Sequence, residues 1–300
     1  MLPKPNTIKA HAALIGTNIF FAINFSAVKY LINNHLIFPF GLNFIRMLFT
    51  TILLWMFYYL SPEKVQVQKI HFKRFLLCAM LGIVINQLLF IKGLSMTYSI
   101  HASLLMLTTP IFITIIAAFI LKEKLTSFKI SGLSMGVLGA LVLILARKSS
   151  GSGSDIFWGD IFVIINAISY SFYFILVKPL MKRYSAMSVI RLLFTIGTVV
   201  ALPFCWKEFI ATPWHQYDLL SALILALIVV GGTFGAYTLN LYGIKHLGAS
   251  VSGSYIYTQP FFATVIAMIF MNETLDIYKI IGGVFIFAGV YLVNKKNDNG

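Results

Sequence analysis

Long apolar stretches separated by short polar ones recur along the whole chain. Ten such runs lie near residues 11–32, 38–60, 73–97, 99–121, 128–146, 158–181, 186–205, 218–242, 249–271 and 278–294. A helix of about 20 apolar residues crosses roughly 30 Å of hydrocarbon. The pattern therefore predicts an all-α integral membrane protein with ten transmembrane helices. The runs are too long, and too little alternating, for the strands of an outer-membrane barrel. The connections are short, which leaves no room for an extramembrane domain.

The pattern is also written twice. The segments Ser99–Leu125 and Ala249–Leu275 share Pro110/Pro260, Phe112/Phe262, Glu123/Glu273 and Leu125/Leu275 at an offset of 150, and Gly82/Gly232, Gly93/Gly243, Gly132/Gly282 and Gly139/Gly289 keep it. Ile45–Thr50 resembles Ile190–Thr195 at 145, and Val28-Lys29 resembles Val177-Lys178 at 149. A Gly/Ser-rich stretch falls midway. The expected organisation is a first five-helix repeat over 1–148, a linker over 149–157 and a second five-helix repeat over 158–300. Five crossings is an odd number, so the second copy enters from the opposite side. The repeat is then inverted, with a pseudo-two-fold axis in the membrane plane.

Arg46 early in the second run, the stretch from Gly93 into the fourth, its central Pro110 and the closing Glu123-x-Leu125 resemble the EamA-type carriers of the drug/metabolite transporter (DMT) superfamily. The second copies are Arg191, Gly243 with Ala249, Pro260 and Glu273-x-Leu275. The resemblance covers nearly the whole chain. It implies a basket-like ten-helix bundle around a central cavity that moves small organic solutes.

Composition agrees: 59% of residues are hydrophobic, 11% are charged, and the mean hydropathy is +0.88. The net charge of +14 invites a nucleic-acid partner, but topology explains it better. With the N-terminus inside, 15 of the 23 Lys and Arg fall on inner segments and 6 on outer ones; Arg46 and Arg191 lie within helices. This asymmetry places both termini in the cytoplasm and the chain in the cell inner membrane. The expected partners are the lipid bilayer and a small-molecule substrate, with no nucleic acid; a monomer suffices. Cys78 and Cys205 sit in apolar runs, so no disulfide is expected. Lys4 and Lys9 precede an apolar run with no small-residue cleavage site, which reads as a retained first helix.

In lipid a polar side chain is costly unless it finds a partner or water. Polar and aromatic residues sharing a helix face are therefore informative. Such faces carry Thr17, Phe20, Phe21 and Asn24; Asn166, Ser169, Tyr170 and Tyr173; Ile83, Gln87 and Phe90, with Asn86 beside them; Thr233, Tyr237 and Asn240; and Ser252, Tyr255 and Gln259. The expected substrate-binding set is Asn24, Asn86, Gln87, Phe90, Asn166, Tyr170, Tyr173, Tyr237, Asn240, Ser252, Tyr255 and Gln259. The competing reading is that the amides and hydroxyls tie helices together. Gly231-Gly232 and Gly282-Gly283 read as close helix contacts.

Pro110 and Pro260 sit mid-run. Each removes a backbone donor and frees a carbonyl, of Met106 and Ile256, which makes them candidate hinges. Arg46 and Arg191 read as structural anchors more than as an anion site. Lys29, Lys92 and Lys178 lie near run ends and are expected to snorkel. His101 is expected to be a solvated interface residue, and Glu123 and Glu273 to cap or pair at helix ends. None of the nine acidic residues falls mid-run, which points to uniport or exchange without a buried coupling carboxylate. No metal-ligand spacing, phosphate-binding loop or nucleophile elbow is present, so no catalytic residue, metal or cofactor is expected. The expected function is a secondary transporter exporting a small, partly apolar metabolite, such as an amino acid, by alternating access. A channel-like facilitator and a membrane-embedded enzyme are the alternatives.

Overall fold

The computed structural model describes residues 5–60, 68–122, 126–145, 153–236, 238–240, 242–243, 246–247 and 255–294, and among them the regular structure is all helical. The helices are α1 (Pro5–Asn33), α2 (Pro39–Leu60), α3 (Phe72–Met96), α4 (Ser99–Met106), α5 (Thr109–Leu121), α6 (Ser127–Leu145), α7 (Gly153–Leu176), α8 (Ala186–Ile210), α9 (Leu219–Asn240), α10 (Gln259–Met271) and α11 (Ile277–Asn294). Among the described residues, eight helical stretches are long and apolar enough to cross a membrane, with α4 and α5 counting as one (Ser99–Ile120). The two shorter apolar helices are Ile256–Met271 and Ile277–Val293. The protein is thus a multi-pass membrane helical bundle. Large apolar side chains such as Phe119, Leu219 and Phe270 point outward, as a hydrocarbon solvent allows.

Lipid tails are as apolar as leucine, so helices in a bilayer associate by close packing rather than by escape from water. The glycines singled out in the sequence do this. A Cβ on Gly132 would stand 2.5 Å from the Gly289 carbonyl oxygen, and one on Gly139 would stand 2.7 Å from that of Gly282, so α6 and α11 touch backbone to backbone. Gly93 and Gly159 bring α3 against α7 in the same way. Elsewhere α1 lies along α10, and α2 along α8.

The helices are interrupted at matched places. The turns Met80–Ile85 of α3 and Leu227–Gly235 of α9 are π-helical. In the second, the Thr233 hydroxyl donates to the Ile228 carbonyl at 3.1 Å. The fourth apolar run stops at Met106 and resumes at Thr109, with Pro110 in the first turn of α5. Pro110 has no N–H to offer the Met106 carbonyl, and the Thr109 hydroxyl takes that carbonyl at 2.7 Å. In the second copy a 3-10 turn, Ile256–Thr258, precedes α10, and the Thr258 hydroxyl donates to the Tyr255 carbonyl at 2.7 Å. Both segments end in a left-handed residue, Lys122 (φ 55°) and Asn272 (φ 53°).

Candidate functional site

The amides predicted on α3 and α7 face each other. Asn166 Nδ2 donates to the Asn86 carbonyl at 2.6 Å, and Asn86 Nδ2 to the Asn166 carbonyl at 3.5 Å. Asn166 is buried, and its Oδ1 has no partner. One turn along, the Ser169 hydroxyl donates to the Leu81 carbonyl at 2.7 Å, inside the π-helical turn. The Tyr173 ring fills the space a Cβ at Gly82 would need, and Tyr170 lies 5.5 Å from it, ring to ring.

On α1, Asn24 is buried against α9. Its Oδ1 has no hydrogen-bond partner and would stand 2.8 Å from a Cβ at Gly232, so a methyl there would press on the Asn24 amide. Phe25 meets Phe90 edge to face at 5.4 Å, which joins α1 to α3. Gln87 is buried on the same helix. Tyr255 is half-buried, and its hydroxyl stands 2.5 Å from His11 Nδ1 on α1. Gln259 heads α10 and Asn240 ends α9, both half-buried. Tyr237 and Ser252 lie outside the described residues. The candidates thus gather along two seams, α3 with α7 and α1 with α9 and α10. A cavity of about 340 Å³ between Ile32–Pro39 and Ser95 holds none of them.

Both mid-helix arginines have structural partners. Arg46 Nε donates to the Thr233 hydroxyl at 3.2 Å, in the π turn of α9. The corresponding position in α3 is Ile83, which offers no acceptor. Arg191 instead rests its guanidinium on Tyr58, 3.3 Å from the ring centre, and on Trp55 at 4.6 Å.

A polar cluster at one end of the bundle was not read from the sequence. His101, expected in solvent, is buried, with Nδ1 3.1 Å from Asp160 Oδ2; the Thr97 hydroxyl donates to the other oxygen. The close Gly93–Gly159 approach carries the start of α7 over the start of α4 and covers both groups. Glu273 accepts from the backbone N–H of Ser99 at 2.7 Å and of Ile100 at 3.0 Å, capping α4 from the other half of the chain. Lys29, expected to snorkel, donates to the Thr97 carbonyl at 2.7 Å and stands 3.8 Å from Glu273. The repeated Glu-x-Leu marked Glu273 as a helix-end residue, but its partner lies 174 positions away. At the start of α2, Glu208 accepts from the Phe40 N–H at 2.6 Å and caps that helix. In the loop before α9, burial pushes the Tyr217 hydroxyl up to about 12, and hydrogen bonding by Ser221 holds the Asp218 carboxyl below its usual range. Among the described residues no group of three metal-ligating side chains comes together.

A model of the EamA-like transporter family matches residues 8–145 and again residues 157–295. An uncharacterised transporter of Archaeoglobus fulgidus is 24% identical over 96% of this chain and 98% of its own. The transporter YoaV of Bacillus subtilis is 24% identical over 95% and 96%. A probable terminal-alkyne amino-acid exporter of Streptantibioticus cattleyicolor is 26% identical over 73% of this chain and 72% of its own. One solved crystal structure superposes with a TM-score of 0.61 at 15% identity, covering 95% of this chain and 96% of the other; it bears on the fold alone.

Proposed function

The chain belongs to the EamA-like transporter family, and on that premise we propose that it is a ten-helix secondary carrier built from two inverted halves, 1–148 and 158–300 about a linker at 149–157, that exports a small organic solute by alternating access. It moves small molecules across a membrane and is not an enzyme. Both termini then lie in the cytoplasm, and the membrane is the inner one.

One observation carries this reading: the backbone is broken at matching sequence positions in the two stretches that the family model matches. The π turns of α3 and α9 and the proline breaks before α5 and α10 recur at an offset of 150. Irregular backbone at membrane depth is tolerated only where protein or a polar cavity satisfies it, and repeat-built carriers place their substrate there. The amides of Asn24, Asn86, Gln87, Asn166, Asn240 and Gln259, the hydroxyl of Ser252 and the rings of Phe90, Tyr170, Tyr173, Tyr237 and Tyr255 supply hydrogen bonds and apolar walls for a partly apolar solute. The name of the Streptantibioticus relative favours an amino acid or a related amine-bearing acid. Pro110 and Pro260 act as the hinges.

A thermal-shift screen of the purified protein against amino acids and aromatic metabolites tests the proposal, because a ligand stabilises the fold that binds it. A stabilising compound that also drives counterflow in proteoliposomes supports the carrier. Unitary currents with no saturable counterflow would replace it with a channel.

A further inference from the structure

Three consecutive residues in the π turn of α9 face the first two helices. A Cβ on Gly231 would stand 3.0 Å from the Phe20 ring, and one on Gly232 would stand 2.8 Å from Asn24 Oδ1. Thr233 comes next. Its hydroxyl gives its proton to the Ile228 carbonyl and accepts from Arg46 Nε at 3.2 Å. A π turn carries one extra residue, which breaks the regular register of side chains, and such turns are frequent at functional sites. Arg46 belongs to a polar stripe of α2. Asn43, Arg46 and Thr50 are spaced at i, i+3 and i+7 and share one helix face. They are 0%, 5% and 1% exposed, and Asn24 across the seam is 5% exposed. Neither amide atom of Asn43 has a hydrogen-bond partner, and neither the Thr50 hydroxyl nor Asn24 Oδ1 has one. A buried polar group costs stability for as long as it stays unmet.

The matching stripe of the second copy is built differently. At an offset of 145, Asn43, Arg46 and Thr50 become Ser188, Arg191 and Thr195. The Ser188 hydroxyl accepts from that of Ser185 at 2.9 Å. The Thr195 hydroxyl donates to the Arg191 carbonyl at 2.8 Å and accepts from Trp55 Nε1 at 2.9 Å. Arg191 Nε and Nη1 are unmet, but the rings of Tyr58 and Trp55 cover the guanidinium. The hydroxyls of the second stripe are therefore bonded, and the side chains flanking Arg46 in the first are not. The scaffold does not require the first arrangement, because the same helix position is filled in the second copy without an amide.

We propose that the α2 stripe binds the carboxylate of the transported solute. Arg46 supplies the charge, Asn43 Nδ2 and the Thr50 hydroxyl supply further donors, and Asn24 Oδ1 across the seam accepts an N–H of the same solute. This rests on the carrier reading, and it narrows the cargo from small organic solutes to carboxylate-bearing ones. A guanidinium flanked by neutral N–H and O–H donors is complementary to a carboxylate, and a permanent cation taken out of water is best matched by an anion with good hydrogen bonds. The α1–α2–α9 seam is closed in this structure, so the solute reaches the stripe when these helices part. The two arginines that the sequence reads alike thus divide the work: Arg191 holds α8 on α2, and Arg46 holds cargo.

Thermal shifts of the purified chain with matched probes test this. The probes are the common L-amino acids, each beside its methyl ester, and phenylacetate and indole-3-acetate beside phenethylamine and tryptamine. The stabilising compounds are expected to carry a free carboxylate, and esterification is expected to weaken binding about tenfold or more. Arg46→Gln should weaken the acid about 10- to 100-fold and leave the ester unchanged; Arg46→Lys, which keeps the charge but not the planar fork, serves where Arg46→Gln does not fold. Thr50→Val separates a ligand site from a structural one. It removes an unmet buried hydroxyl, so melting of the unliganded chain should stay the same or rise, while the acid binds about 3- to 10-fold more weakly. Ser188→Ala, at the matching position of the second copy, is the control and should change neither affinity. Counterflow of esters, amines or neutral solutes only would overturn the carboxylate site and leave the carrier standing, as would acids that bind the Arg46 and Thr50 variants as well as the parent. Acids that bind through Arg46 without saturable counterflow would sink the carrier and keep the site. If no probe binds, both fall.

Discussion

Asn166 and Asn86 each give a side-chain N–H to the other's backbone carbonyl, at 2.6 and 3.5 Å. This reciprocal bond spans α3 and α7 beside the π turn of α3, so one pair of residues both ties the halves of the chain and leaves the Asn166 Oδ1 without a partner. The two bonds differ in length and should differ in worth. Asn166→Ala is expected to cost about 1–2 kcal/mol of stability and Asn86→Ala less, because a bond at 3.5 Å is at the edge of useful geometry. Thermal unfolding in detergent, followed by tryptophan fluorescence, checks the order.

Close helix contacts predict where a single methyl is intolerable. Gly132→Ala drives a Cβ toward the Gly289 carbonyl oxygen at 2.5 Å and must push α6 away from α11. Overpacking of this kind costs about 1–3 kcal/mol. Gly16→Ala meets only Leu239 Cδ1 at 3.5 Å, an ordinary contact, and is expected to be neutral. Comparing their melting temperatures tests whether those backbones touch.

The paired arginines predict a double-mutant result. Arg191 is held by the faces of Tyr58 and Trp55. Arg191→Lys and Tyr58→Leu should each destabilise, and together they should cost less than their sum, by about 1 kcal/mol of coupling. Thr233→Val should unsettle Arg46 in the first copy and leave Arg191 untouched.

The proline break predicts a functional change with little change in fold. Pro260→Ala restores an amide donor and lets the helix run through Gln259. The expected result is a slower counterflow rate with melting within a few degrees of the parent. Unchanged counterflow would remove the hinge.

Much of the fold was legible because lipid forces it to be. A helix that must cross hydrocarbon writes its length as an apolar run, and duplicated glycines and prolines betray the repeat. Among the described residues, eight helical stretches are long and apolar enough to cross, and Ile256–Met271 and Ile277–Val293 are shorter apolar helices. Gly132, Gly289 and Gly93 stood out in the sequence by residue type, but neither the pairing of Gly132 with Gly289 nor the Gly159 that meets Gly93 did. The end cluster was hidden for a different reason. His101 reads as a solvated residue, Lys29 as a snorkelling one and Glu273 as a helix-end cap, and only the three-dimensional crossing of α1, α4, α7 and α10 brings them together with Asp160. The split role of the arginines was likewise hidden, because it depends on Thr233 facing Arg46 while Ile83 occupies the matching position in α3.

Two halves of opposite orientation enclosing a shared pathway are tested most directly by side-specific labelling. Single cysteines at Gly151, in the linker, and at Ile8 and Asp298, near the two ends, are exposed to a membrane-impermeant maleimide in intact cells. The account predicts that the linker site reacts from outside while both terminal sites react only after lysis. Labelling of the linker and the termini from the same side would contradict it.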